Sequence, residues 1–138
     1  MSLQAILDQL REDTAVFRTT LRLEADNFEI AFESLGEGAA SLKGPLPFDL
    51  RNTGTYMWIA ENRTILVQPD VLEGPNPPRE LHDVYGVRSQ MLSGLFDGDD
   101  LVGIISVHHA ATTREWADAE VAALERATVA VEAELAAS

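Results

Sequence analysis

Arg88, Gln90, Ser106 and His108 sit on two apolar, β-branched-rich runs, Val87 to Phe96 and Asp100 to His109, separated by Asp97-Gly98-Asp99. An Asp-Gly pair between such runs is a hairpin signal, so the two arms read as central antiparallel strands. A three-residue loop of Asp97, Gly98 and Asp99 sets Arg88 and Gln90 beside Ser106 and His108 and leaves Met91, Ile105 and Val107 on the opposite side. A two-residue loop would mix polar and apolar residues on both faces, because a slip of one residue exchanges the faces of a strand. A guanidinium, an amide, a hydroxyl and an imidazole sharing a face can hydrogen-bond a small ligand. They can equally form a polar network of their own or face solvent.

Thr20 and Arg22 alternate with Leu21 and Leu23 and would join the same face if their strand lies beside the last one. Arg22 suits a ligand carboxylate gripped bidentately, although Glu24, Glu29 or Glu33 could occupy it instead. Trp58 can wall a pocket or pack in a core. His109 follows His108 directly and points to the other face, so the two cannot share a metal through their side chains. His82 lies among charged neighbours on a short helix and reads as a surface residue. A Ser–His hydrolase would need more than Ser106 and His108, two apart on one strand and roughly 7 Å between Cα atoms. No third acid is assignable and no Gly-x-Ser-x-Gly elbow occurs. No catalytic residue is assigned.

Composition narrows the chemistry further. Without a single cysteine the chain has no disulfide, thiolate nucleophile, Cys-ligated zinc or iron–sulfur centre. No metal or cofactor is expected. At 138 residues and 15.1 kDa, with 46% hydrophobic and 24% charged residues, the chain is one soluble globular domain, residues 1–138. Its net charge of −13 argues against nucleic-acid and anionic-membrane partners, both of which would be repelled. No secretion signal is evident, and a cytoplasmic location is expected.

The elements that must position these residues follow from periodicity. Ser2 to Glu12 carries Leu3, Ile6, Leu7 and Leu10 on one helical face, with Ser2 as cap. Phe17 to Leu23 and Asn27 to Leu35 form an opening hairpin. Gly36 to Phe48 is a loop, Thr53 to Asn62 a short helix with Tyr56, Ile59 and Ala60 at helical spacing, and Thr64 to Gln68 a short strand. Gly74 to Pro78 is a rigid loop, Pro78 opens a helix over Arg79 to Tyr85, and Gly86 stops it. Thr112-x-x-Glu115 resembles a capping box for the last helix, with Asp118 a competing start. That helix runs to about Ala136 along a seam of Val121, Leu124, Thr128, Val131 and Leu135. The sum is an α+β domain with an antiparallel sheet of five or six strands. The terminal helices cover one face, and the middle helices and loops the other.

This order resembles the GAF domain, a relative of the PAS domain. The resemblance is carried by Arg18-Thr19-Thr20-Leu21-Arg22-Leu23, by Trp58-Ile59-Ala60-Glu61-Asn62-Arg63 with Leu66-Val67-Gln68-Pro69-Asp70, and by Tyr85-Gly86-Val87-Arg88-Ser89 through Leu101 to Val107. It covers nearly the whole chain. It implies a bacterial sensory or ligand-binding module, often dimeric through its terminal helices, with its pocket on the sheet face away from them. The cysteines of methionine-sulfoxide-reducing and bilin-attaching GAF domains are missing, and the Asn-Lys-Phe-Asp-Glu signature of cyclic-nucleotide GAF domains is not recognisable.

The resulting expectation is a non-enzymatic domain binding a small, anionic or hydrogen-bond-rich molecule through Thr20, Arg22, Arg88, Gln90, Ser106 and His108, walled by Trp58. A homodimer through the terminal helices is expected from surplus apolar surface. The alternatives are a partner-binding module without ligand and a thiol-independent enzyme.

Overall fold

The computed structural model describes residues 1–46, 49–73, 80–83 and 85–137. In α1 (Leu3–Thr14) the apolar stripe Ile6, Leu7 and Leu10 is buried, and Ser2 caps the helix by accepting from the Ala5 amide at 3.1 Å. β1 (Arg18–Leu23) and β2 (Ile30–Leu35) follow as a hairpin, then α2 (Gly54–Asn62), capped by Thr53, and β3 (Leu66–Gln68). On α2 it is Thr55 and Ile59 that are buried, while Met57 is 54% exposed rather than part of an apolar face. A short α3 (Glu80–Asp83) precedes β4 (Val87–Asp97), β5 (Asp100–Ala110) and α4 (Asp118–Ala137). The expected loop Gly74 to Pro78, and the expected helix at Arg79 and Val84, lie outside the described residues. Gly86, at φ +70°, returns its amide to the His82 carbonyl and ends that helix.

The five strands form one antiparallel sheet in the order β2-β1-β5-β4-β3. One face is covered by α1 and α4, whose Leu7, Leu10, Leu124 and Val131 pack with Leu21, Met91, Leu95, Ile105 and Val107. The other face carries a smaller apolar cluster of Ile59, Leu66, Leu92, Leu101 and Ile104, with Trp58 packed against it.

Three sequence expectations change. The β4–β5 turn is a two-residue loop of Gly98 and Asp99, because Asp97 pairs with Asp100. The faces nevertheless stay segregated, since the register shifts between Leu95, opposite Gly103, and Phe96, opposite Leu101. Val102 is the extra residue of a β-bulge that restores the parity a two-residue loop alone would lose. The last helix begins at Asp118, with the Glu120 carboxylate accepting from the Ala117 amide at 2.8 Å; Thr112 does not cap it. The seam that was to supply surplus apolar surface is used inside one chain, with Leu124 and Val131 fully buried. The large apolar residue α4 exposes is Val129. No helix among the described residues is long and apolar enough to cross a membrane.

Candidate functional site

The face away from α1 and α4 holds a row of polar side chains running across four strands. Arg18 on β1 lies opposite His108 on β5, His108 opposite Gln90 on β4, and Gln90 opposite Gln68 on β3. The next row along the sheet is Thr20, Ser106, Leu92 and Leu66, and the third sets Arg22 beside Ile104 and Gly94. The polar face thus grades into the apolar cluster under α2. All of Arg18, Thr20, Arg22, Gln68, Gln90, Ser106 and His108 are buried. Of the expected residues, the structure brings Thr20, Arg22, Gln90, Ser106 and His108 onto this one face.

Several of these buried groups have a partial set of partners. Arg18 Nη1 lies 3.3 Å from His108 Nδ1 and donates to the Tyr85 carbonyl at 3.4 Å. A guanidinium can only donate, so Nδ1 carries the lone pair and the ring proton is on Nε2. Arg22 Nη1 donates to the Phe28 carbonyl at 2.9 Å. Asn27 and Phe28 both have positive φ, 56° and 58°, and turn the chain so that this carbonyl reaches Arg22. Such a conformation is costly for a bulky residue and is held by its surroundings, here the burial of the Phe28 ring and its edge contact with Tyr56 at 5.7 Å. Gln90 Nε2 donates to Gln68 Oε1 at 2.6 Å. Arg18 Nε, Thr20 Oγ1 and Gln90 Oε1 are buried without a hydrogen-bond partner among the described residues.

Electrostatics reinforce this picture. Burial lowers the pKa of Arg18 and of Arg22, offset in part by Glu33 and Tyr85. His108 is held well below its ordinary value by burial first and then by the positive charges of Arg18 and Arg22. Of the carboxylates expected to compete for Arg22, Glu33 and Glu29 act on it through their charge. Glu24 pairs with Arg51 at 3.9 Å, and Glu33 accepts from the Ser41 hydroxyl and the Leu42 amide.

Arg88 is set apart from the buried row. It forks onto Asp70, with Nε to Oδ1 at 3.1 Å and Nη2 to Oδ2 at 3.0 Å, which lowers the Asp70 pKa. Trp58 packs over the apolar end of the same face rather than against the polar row. Ser89, on the helix-covered side, accepts from Trp116 Nε1 at 2.9 Å. His109 lies 3.1 Å from the Thr112 hydroxyl. No group of three His, Cys, Asp or Glu residues suited to a metal occurs among the described residues. With Nδ1 of His108 turned to Arg18, no carboxylate among the described residues orients the imidazole, and a Ser106–His108 nucleophile is not assembled among them.

Sequence reasoning missed Arg18, Gln68 and Tyr85. Arg18 shares the alternation of Thr20 and Arg22 and could have been included on that ground. Tyr85 reaches β1 twice, with its carbonyl at Arg18 and its side chain beside Arg22. Nothing local signals that contact.

The architecture is that of a small α+β domain built on a central antiparallel sheet with terminal helices behind it. The sequence matches the GAF domain over residues 1–135, and the chain belongs to that family. Its fold is shared with the blue-light absorbing form of the PixJ GAF domain of Thermosynechococcus elongatus, at 20% identity and TM-score 0.71, covering 95% of this chain and 85% of that one. The chromophore-binding domain of Stigmatella aurantiaca bacteriophytochrome is similar at 17% identity and TM-score 0.78, covering 99% of this chain and 53% of that one. A far-red absorbing dark-state protein with bound biliverdin is similar at 20% identity and TM-score 0.71, covering 96% and 90%. No curated protein sequence matches the chain.

Proposed function

We propose that this protein is a small-molecule-binding regulatory domain without catalytic activity, its ligand seated on the sheet face of Arg18, Thr20, Arg22, Gln90, Ser106 and His108. The observation that carries the reading is the buried polar row with three unpartnered atoms. Burying a polar group without a partner costs roughly 1–3 kcal/mol in proteins, so three on one face call for water or a ligand. Two buried guanidinium groups favour an anionic one. The solved relative with bound biliverdin uses the same fold to hold a small molecule. Since this chain lacks cysteine, a thioether-attached chromophore is not part of the proposal.

Native mass spectrometry of the purified protein, followed by thermal-shift screening, tests the reading. A retained or stabilising small molecule is expected, and Arg22→Ala should weaken its binding by about 1.5–3 kcal/mol, the scale of a hydrogen bond to a charged group. A protein that retains nothing and that no small molecule stabilises would remove the proposal.

A further inference from the structure

We infer that the ligand is a small hydroxycarboxylate, its carboxylate against Arg18 and its hydroxyl donating to Gln90; this rests on the binding role proposed above. The unpartnered atoms define what must complement them. Arg18 Nη1 is taken by His108 and Tyr85, leaving Nε, on another edge of the guanidinium, to donate to a ligand acceptor. Gln90 Nε2 is taken by Gln68, which orients the amide so that Oε1 requires a donor. Thr20 Oγ1, one row along, can give or take a hydrogen bond.

An acceptor and a donor are therefore needed on one molecule, and charge decides their nature. Arg18 and Arg22 are both buried on this face, and the nearby Glu33 offsets that burial only in part. A buried cation is stabilised by an opposite charge brought against it, so the acceptor is anionic. A carboxylate oxygen suits the unpartnered Nε–H of Arg18. An ammonium group as donor would face two guanidiniums, which selects a hydroxyl over an amine. Size follows from the sheet: Arg18 and Gln90 stand two strands apart, about 10 Å between backbones, on either side of His108, and one small molecule must bridge them.

Lactate and malate, with propionate, lactamide and alanine as controls, provide the test. Binding would be followed by calorimetry and by the side-chain amide resonance of Gln90. Lactate or malate is expected to shift that resonance. Propionate, lacking the hydroxyl, should bind on the order of tenfold more weakly, the factor for one hydrogen bond of about 1.4 kcal/mol. Lactamide and alanine should bind more weakly still. Equal affinity for lactate and propionate, or for lactate and lactamide, overturns the inference, as does no response to lactate or malate. A neutral molecule or an amino acid that shifts the same resonance also overturns it, while leaving the small-molecule role standing. Arg18→Gln should abolish the carboxylate preference; because Arg18 is buried and its loss could unfold the chain, the comparison among ligands on the parent protein carries the test.

Discussion

His108 Nδ1 faces Arg18 Nη1 at 3.3 Å, and this contact fixes the imidazole as a neutral acceptor inside the sheet face. Protonation would set a third positive charge beside Arg18 and within the field of Arg22.

The sign of the pH dependence follows. His108 is held well below 6.5 in the folded protein and returns toward that value on unfolding. Below about pH 6.5 the unfolded chain binds the proton that the native chain refuses, so stability falls as pH falls, by up to about 1.4 kcal/mol per pH unit. Above that value the contribution is fully present. His109, lowered by burial and by Arg114, acts in the same direction. Urea unfolding at about pH 7 and about pH 5.5 should show the loss, and His108→Gln should remove most of it. A midpoint that does not move between the two would contradict a neutral His108.

Arg88 is expected to act as a tie between the end of β3 and β4. The Val71 amide donates to the Arg88 carbonyl at 2.9 Å, beside the Asp70 fork. Hydrogen exchange at Val71 should accelerate in Arg88→Ala. Loss of ligand binding as large as that of Arg22→Ala would instead assign Arg88 to the ligand.

Gly94 should not tolerate a side chain. A Cβ there would lie 2.7 Å from Ile59 Cγ2 and 2.8 Å from both Leu101 and Phe96, so Gly94→Ala should destabilise by about 1–3 kcal/mol through overpacking. Denaturant unfolding measures it, and an unchanged midpoint would mean that α2 moves away from the sheet without cost.

Leu124 belongs to the core of a single chain. Leu124→Ala should cost about 2–5 kcal/mol, and Leu124→Glu should unfold the protein rather than dissociate a dimer. Two copies meeting on α4 would have to use the outer side, where Val129 is 67% exposed. Light scattering of Val129→Glu beside the parent decides this: a dimer mass that drops to the monomer value is the outcome expected of that pairing. A monomer mass in both removes it.

The sequence by itself determined the elements and which way most of them face, because alternation along Arg18 to Leu23 and the three-four spacing along α1 and α4 are local properties of a chain that must bury one side. It also excluded thiol chemistry. Tertiary structure decided the site. Arg18 reads like Arg22 in sequence, and its burial becomes visible only when β1 is placed beside β5. Tyr85 reaches β1 across 67 residues of chain, and Arg88, at a register shift between Val87 and Ser89, forks onto Asp70, 18 residues away. The β4–β5 faces were foreseen through the wrong loop, since a bulge at Val102 and a loop one residue longer give the same parity. Pairings between distant segments depend on packing that no local pattern encodes, and for that reason the partners of these side chains had to come from the fold.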